Sequence, residues 1–362
     1  MTNRQVTQDF FVGCYTGRFF GGMARGKGIY RCRLEPATGA MSVLQVTPSR
    51  PNPSYLALNS QKTCLYAVHE LEADDDEDPS VSAFALQGDA LTYLNTQPSL
   101  GNAPCHLTVD AANNVLAVAN YGTGNVALYK LAANGSLETL KDTVQHTGSS
   151  VNPARQEGPH AHAVAFDPSN IDASNTYLFV TDLGTDQVKT YHVVDDKLRE
   201  LAVLDMPAGS GPRHLAFHPS EPVVFVINEL SSSVSVLQVD GPNLQLLSTT
   251  LTLPEDATIE NTCAAIRVHP NGKFVYASNR GHDSIAVFAF DSVSKGLEPI
   301  QVIPTGGKTP REINFDPSRR VLIAANQDSD SLVSFWCDEQ TGQLTPTGEV
   351  LEVGTPVCVV ML

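Results

Sequence analysis

The chain has 362 residues, of which 42% are hydrophobic and only 17% are charged, a balance typical of a globular protein with a large core. No run of eighteen apolar residues is present, which excludes a helix that spans a membrane. The formal net charge of −16 would repel phosphate backbones over most of the surface, so we expect no nucleic-acid partner.

The N-terminal segment and the cysteines both indicate a reducing compartment. The opening residues, MTNRQVTQDFFVG, contain no basic segment followed by an apolar stretch, so we expect a cytoplasmic location. The seven cysteines form no CxxC pair, and several lie in apolar runs such as TPVCVVML. We interpret them as reduced core residues rather than as a disulfide frame or a zinc site.

A repeated unit runs along the chain. The first runs of the units, such as RHLAFHP, start at residues 54, 105, 162, 213, 264 and 311, so successive starts lie 51, 57, 51, 51 and 47 residues apart. Each is followed by an apolar second run, as in VVFVINE, by an alternating third run, as in SVSVLQV, and by a weaker fourth run. Four strands per repeat without helical periodicity predict a β-propeller blade, and counting blades gives seven.

The two ends of the chain complete one blade between them. DFFVGCYT matches a second run that lacks a first run, and TPVCVVML matches a first run that nothing follows. We therefore predict an all-β, seven-bladed β-propeller in which residues 355–362 pair beside the strand that contains Phe11 and Val12. This makes residues 1–362 a single propeller domain. The sequence leaves the oligomeric state open, and a monomer is compatible with it.

An acidic stretch, ELEADDDEDPS at 70–80, follows the second run of blade two. It lacks the spacing of an EF-hand loop, so we interpret it as a solvated insertion. Whether residues 72–78 bind a cation stays open.

Residues at the same place in successive repeats should form rings, because the first strand of every propeller blade lines the central channel. The first ring, at the start of the first strands, contains Ser54, Cys105, His162, Arg213, Ala264, Arg311 and Val357. The second ring, just past the second strands, contains Tyr15, Glu70, Tyr121, Leu183, Glu229, Arg280 and Gln327. Hairpin geometry places both rings at one channel mouth, together with His160.

That mouth is predicted to be a polar site. Its arginines would form a local positive island suited to a carboxylate or phosphate, which arginine binds through two parallel hydrogen bonds. His162 and Glu229 could move protons, since a histidine titrates near neutrality and a carboxylate beside arginine stays ionised. A charged residue on a propeller rim commonly has no role beyond contact with solvent. For any one of these residues taken alone, this alternative stays open.

The segments EGPHAHAVAFDP, TDLGTDQV, GPRHLAFHP and FVINELSSSVSV together resemble the seven-bladed lactonase family. This family includes the bacterial propeller-type 6-phosphogluconolactonases and the fungal carboxy-muconate lactonising enzymes. The resemblance spans essentially the whole chain, and its PHxH, GPRH and NE motifs are specific. It implies a small anionic lactone as the partner, no metal or organic cofactor, and the catalytic residues His162, Arg213, Glu229 and Arg280. Their neighbours at the mouth give the candidate substrate-binding residues His160, Arg311, Glu70 and Tyr121.

The expected function is therefore hydrolysis of an anionic sugar lactone, with 6-phosphogluconolactone of the pentose phosphate pathway as the expected substrate. The arginines would hold the anion, a charged donor would polarise the lactone carbonyl, and Glu229 or His162 would activate a water. One alternative is a cycloisomerase acting on carboxy-cis,cis-muconate. A second is a non-catalytic propeller scaffold, against which the missing WD and kelch signatures count. The sequence does not decide between phosphate and carboxylate, or which residue is the base.

Overall fold

Seven four-stranded antiparallel sheets surround a central channel in the computed structural model, which describes residues 7–19, 22–168, 176–254 and 256–362. Within each blade the strands are hydrogen-bonded in chain order, except in blade one. The first strand of every blade packs against the first strands of both neighbouring blades, so these seven strands line the channel. The predicted seven-bladed propeller is confirmed.

The strands of the first three blades, in chain order, are β1 (Gln8–Cys14), β2 (Arg18–Phe19), β3 (Gly22–Met23), β4 (Ile29–Glu35), β5 (Ala40–Thr47), β6 (Pro53–Leu58), β7 (Cys64–His69), β8 (Ser80–Gln87), β9 (Ala90–Pro98), β10 (Pro104–Val109), β11 (Val115–Asn120), β12 (Asn125–Leu131) and β13 (Leu137–Gln145). The remaining strands are β14 (Ala161–Phe166), β15 (Thr176–Asp182), β16 (Gln187–Val194), β17 (Lys197–Asp205), β18 (Pro212–Phe217), β19 (Val223–Asn228), β20 (Ser233–Asp240), β21 (Asn243–Leu251), β22 (Thr262–Val268), β23 (Phe274–Arg280), β24 (Ser284–Asp291), β25 (Gly296–Pro304), β26 (Pro310–Phe315), β27 (Val321–Asn326), β28 (Ser331–Cys337), β29 (Leu344–Glu352) and β30 (Pro356–Met361). A short 3-10 helix covers Gln327–Ser329.

The apolar core lies between the blades rather than within them. The second strands are buried on both faces, which explains why runs such as VVFVIN and VLIAAN are almost continuously apolar. The outermost strands have exposed positions, and in NLQLLSTTL of β21 exposed and half-buried residues alternate. All seven cysteines are buried and free, as predicted.

Blade one is closed by the two ends of the chain. Its sheet has the order β30-β1-β4-β5, and β30 pairs antiparallel to β1 with Phe11 opposite Val360 and Val12 opposite Val359. The backbone N–H of Leu362 also donates to the carbonyl of Asp9 at 3.0 Å. The predicted closure is therefore confirmed, and the channel-facing edge of β1 is paired.

A β-bulge interrupts the pairing of the first two strands in every blade. In each blade the register shifts at the first-ring residue, and in blade six the shift spans Ala264 and Ala265. A bulge leaves one residue unpaired and changes the direction of its side chain. The residues of the first ring therefore share one backbone feature, which recurs in all seven blades.

The rest of the described chain adds three observations. No helix in those residues is long and apolar enough to cross a membrane. In the acidic insertion, the backbone N–H of Glu72 donates to Asp75 Oδ2 at 2.7 Å, a local turn. In the same described ranges, no group of three or more His, Cys, Asp or Glu side chains is arranged to hold a metal ion.

The ring closure predicts the effect of shortening the chain. A variant that ends at Gly354 lacks β30 and loses the buried side chains of Val357 and Val359, each worth about 1.5–3 kcal/mol of unfolding free energy. It also exposes the edge of β1, so we expect self-association and a lower melting temperature in light scattering and thermal unfolding. Removal of Leu362 alone is the control and should have a small effect. A monomeric truncated protein with an unchanged melting temperature would contradict the closure.

Candidate active site

A cavity of about 570 Å³ lies at the channel mouth where the two rings meet. Its size suits a small molecule. It is lined by Glu70, Glu72, Cys105, Tyr121, Gly122, Ala154, Arg155, Glu157, His160, His162, Glu229, Thr262, Arg280 and Arg311. The structure therefore brings together seven of the eight predicted site residues on one cavity wall.

Glu229 is the centre of the site. It follows β19 and is 3% exposed, yet three guanidinium groups contact its carboxylate. Arg155 Nη2 donates to Oε1 at 2.7 Å, while Arg280 Nη2 lies 2.8 Å and Arg213 Nε 3.0 Å from Oε2. A buried carboxylate needs such partners, because an unpaired charge in the interior is costly.

Two of these arginines are fixed by backbone carbonyls of β22. Arg213 Nη1 donates to the carbonyl of Ala264 at 2.6 Å, and Arg280 Nη2 donates to that of Cys263 at 2.9 Å. Arg213 Nη1 also lies 3.1 Å from His214 Nε2, and since arginine can only donate, this nitrogen of His214 accepts.

The charge state of Glu229 follows from its neighbours. Burial by itself raises the pKa of a carboxyl group, but Arg280, Arg213 and Arg155 outweigh it and hold the pKa of Glu229 well below its ordinary value. Burial, Arg280 and Arg311 lower the pKa of Arg213 to about 10, so that residue stays protonated at neutral pH. The pair is ionised throughout the physiological range.

His162 lies beside this carboxylate at the bulge of β14. Its Nε2 is 4.0 Å from Glu229 Oε2, and its Nδ1 is 3.8 Å from Cys105 Sγ. Burial and the nearby Arg213 lower the pKa of His162 well below its ordinary value, although Glu229 acts in the opposite direction. The expectation that His162 titrates near neutrality is therefore wrong, because the imidazole is neutral well below that range.

Arg311 and Glu70 form a second polar group on the cavity wall. Arg311 Nη2 is 3.7 Å from Glu70 Oε1, and its guanidinium lies over the ring of Tyr15, 5.4 Å from the centroid. The hydroxyl of Tyr15 donates to the same Glu70 oxygen at 2.8 Å. Burial lowers the pKa of Arg311, but Tyr15 and Glu70 more than reverse this, so it remains a cation. Its contact with Glu70 is longer than a hydrogen bond, which leaves donors of Arg311 available to a ligand.

His160 and Tyr121 form an aromatic wall. Their rings stack with centroids 4.5 Å apart. His160 Nδ1 donates to the carbonyl of Tyr121 at 2.9 Å, and Nε2 lies 3.2 Å from Glu157 Oε1. The imidazole is thus oriented from both nitrogens.

Arg155 is a residue of the site that the ring argument missed. It lies on the connection between β13 and β14, residues 146–160, which no strand position covers. The signal for this connection was present, since the spacing of 57 residues between the third and fourth blades exceeds all the others. Arg155 lies in this longer connection, four residues ahead of the PHxH motif.

The segment TDLGTD, residues 181–186, holds this connection in place. Asp182 accepts from the backbone N–H of His160 at 2.9 Å and contacts His146 Nδ1 at 2.6 Å. Asp186 accepts from the hydroxyl of Ser150 at 2.6 Å. Gly184 permits the approach, because a Cβ there would lie 1.9 Å from the carbonyl oxygen of Gly158.

Two expectations about the site need correction. Arg213 does not line the cavity, because it is 2% exposed and lies against Glu229 instead. The lining is also not a positive island. Three arginines and four glutamates line the cavity, so the carboxylates outnumber the guanidinium groups by one. The extra carboxylates, Glu72 and Glu157, lie outside both predicted rings.

Comparison with known proteins agrees with this architecture. The family model described as "Lactonase, 7-bladed beta-propeller" matches residues 9–361. The chain is 35% identical over 356 residues to a 6-phosphogluconolactonase of Bacillus subtilis, covering 97% of both chains. It is 31% identical over 352 residues to a 6-phosphogluconolactonase of Formosa agariphila, covering 95% of this chain and 96% of that one. The solved structure of a periplasmic gluconolactonase of Pseudomonas aeruginosa superimposes with a TM-score of 0.91 at 29% identity, covering 99% of each chain.

The buried carboxylate predicts a pH-dependent stability. Glu229→Gln leaves the buried Arg213 and the half-buried Arg280 without their anion and should lower the free energy of unfolding by about 3–5 kcal/mol at neutral pH. Because the folded-state pKa is lowered, this stabilisation is fully present above the unfolded value of about 4.3 and is lost as the pH falls below it. Urea unfolding of the wild-type protein and of Glu229→Gln should therefore show that the difference between their free energies of unfolding becomes smaller as the pH falls from neutral to acid. The exposed Glu349→Gln is the matched control. A difference that stays constant with pH would contradict this assignment.

Proposed function

Since this chain belongs to the lactonase family of seven-bladed β-propellers, we propose that it hydrolyses an anionic sugar lactone, with 6-phosphogluconolactone as the substrate and 6-phosphogluconate as the product. The names of two relatives support the phosphorylated substrate. The observation that carries the proposal is a buried, ionised Glu229 beside a neutral His162 on the wall of a cavity that also offers the donors of Arg311.

In this proposal Arg311 binds the phosphate. Its guanidinium lies on the cavity wall, is held in orientation by the ring of Tyr15, and approaches Glu70 no closer than 3.7 Å. A guanidinium with free donors can bind a phosphate through two parallel charged hydrogen bonds. Glu70 and Glu157 are acceptors suited to the hydroxyl groups of the sugar.

The reaction needs a proton acceptor and a donor for the developing oxyanion. The oxygen of a water attacks the lactone carbonyl carbon, and one water proton passes to Glu229 or His162. The ring C–O bond then breaks, and the released oxygen takes that proton, which yields the open hydroxy acid. Arg280, a charged donor on the same wall, stabilises the negative charge that develops on the carbonyl oxygen.

Glu229 and His162 are spaced to place that water. Their facing atoms are 4.0 Å apart, too far for a direct hydrogen bond, and a water between them can lie at hydrogen-bond distance from both. The neutral imidazole accepts or donates according to its tautomer, so the two residues can share the proton transfer.

The proposed reaction is a step of the pentose phosphate pathway, and the expected location remains the cytoplasm.

Substitution of the two proton-transfer residues tests the reaction. We expect the purified protein to hydrolyse 6-phosphogluconolactone faster than the spontaneous reaction, and Glu229→Gln and His162→Asn to lower kcat by roughly 10²- to 10⁴-fold. Because the pKa values of both groups are lowered, kcat/KM should stay level from neutral pH to well below the ordinary histidine value of about 6.5.

Carboxy-cis,cis-muconate should be assayed beside the lactone. Cyclisation of this compound without lactone hydrolysis would favour the cycloisomerase, and inactivity toward both would favour a scaffold. Wild-type activity in both variants would refute the assignment of the proton-transfer groups.

The phosphate contact is tested at Arg311. Arg311→Met removes a charged donor, so KM for 6-phosphogluconolactone should rise about 10- to 100-fold, with a smaller change in kcat. Arg50→Met is the control, because Arg50 is 35% exposed and pairs with Glu77 at 3.2 Å outside the cavity. Equal KM values for the two variants would show that the phosphate binds elsewhere.

A further inference from the structure

Glu229 is not free to accept a proton as the site stands. Arg155 occupies its Oε1, while Arg213 and Arg280 occupy Oε2. A carboxylate with guanidinium groups against both oxygens is a weak base, because each positive charge stabilises its ionised form. The proposed hydrolysis therefore needs one of these contacts to open when the substrate binds.

Only one of the three arginines is placed to leave. The side chains of Arg213 and Arg280 are 3% and 14% exposed, and each donates to a backbone carbonyl of β22. Arg155 is 38% exposed, and besides Glu229 its guanidinium has one hydrogen bond in the described structure, from Nη2 to the hydroxyl of Tyr121 at 3.1 Å. It also lines the cavity.

The backbone that carries Arg155 is held firmly. The N–H of Gln156 donates to the carbonyl of Asn152 at 2.7 Å, and the buried Gln156 side chain donates to the carbonyl of Leu183 at 2.9 Å. Ser150 is bound to Asp186 on the same side. A change of partner by Arg155 is thus a side-chain rotation about a fixed position and needs no movement of the loop.

We propose that Arg155 is a substrate-operated switch: the anionic group of the lactone draws its guanidinium away from Glu229, and the carboxylate, with one cation fewer against it, can then accept the proton of the attacking water. The inference rests on the proposed lactonase function and deepens it. Arg213 and Arg280 stay in place and keep Glu229 ionised. An anionic lactone is then selected through turnover as well as binding, because a neutral lactone cannot attract Arg155 from Glu229.

The other groups around the carboxylate agree with this role. The groups that face Glu229 are Arg155, Arg213, Arg280 and His162, and the hydroxyl of Tyr121 faces Arg155. Arg155 is one of the residues that lower the pKa of Glu229, so its departure raises that pKa toward the range of an effective base.

The test uses a neutral lactone with the anion supplied separately. In the wild-type protein, inorganic phosphate or phosphite should increase kcat for glucono-1,5-lactone at least several-fold, because the free anion binds Arg155 and releases Glu229. In Arg155→Met the carboxylate is free permanently, so the added anion should no longer activate. The kcat advantage of 6-phosphogluconolactone over the neutral lactone should also fall at least tenfold. Arg155→Lys should retain part of both effects.

The controls separate the switch from a structural role and from the proposed function. Arg50→Met, whose side chain is similarly exposed, should keep the anion activation of the wild type. Two results would overturn the switch and leave the lactonase assignment intact. One is an equal fall in kcat for both lactones in Arg155→Met, and the other is a wild-type protein whose kcat for the neutral lactone does not rise when phosphate is added. If the wild-type protein hydrolyses neither lactone, the proposed function fails and the switch with it. If Arg155→Met does not fold, the response of the wild-type protein to phosphate and phosphite still tests the switch, because a kcat for the neutral lactone that the anions do not raise would overturn it.

Discussion

The buried carboxylate of Glu229 is the interaction on which the rest of the site depends. A carboxylate at 3% exposure has lost most of its hydration, and three guanidinium groups replace that hydration. They come from different parts of the ring: Arg213 from blade five, Arg280 from blade six, and Arg155 from the connection that enters blade four. One charge therefore ties three neighbouring segments together and engages three of the arginines around it. Burial and Arg213 keep His162 neutral even though this charge acts in the opposite direction.

The sequence was sufficient for the parts of the molecule that strand pairing determines. The repeat spacing and the incomplete runs at the two ends predicted the blades and their closure, because register and edge pairing leave few alternatives. Hairpin geometry predicted in the same way that Arg213 and Glu229 lie next to each other. Three features did not follow. Arg155 lies on a connection whose path no periodicity describes, the pKa of His162 depends on burial that only packing creates, and the balance of charge includes Glu72 and Glu157 from outside the strands.

Similarity to other proteins leaves the choice of substrate to individual side chains. The chain matches a 6-phosphogluconolactonase and a periplasmic gluconolactonase over nearly their full lengths, at 35% and 29% identity. These names differ by a phosphate, which the fold alone does not distinguish. In the function proposed above, the distinction rests with the guanidinium groups that line the cavity. Among them Arg311 lies 3.7 Å from Glu70, beyond hydrogen-bond distance, and Arg155 has a side chain that is 38% exposed.

The pairing of β30 with β1 has a consequence for how the protein is made. At translation rates of about 5–20 residues per second, strand β1 leaves the ribosome roughly 20 to 70 s before its partner is synthesised. During that time the blades between them can form locally, since most of their strands pair with the next strand in the chain. Blade one cannot be completed, and its open edge is a site where a nascent chain can be protected by a chaperone or can aggregate. Tyr15, which contacts both Glu70 and Arg311, directly follows that unpaired strand, so this side of the cavity is among the last parts of the protein to form.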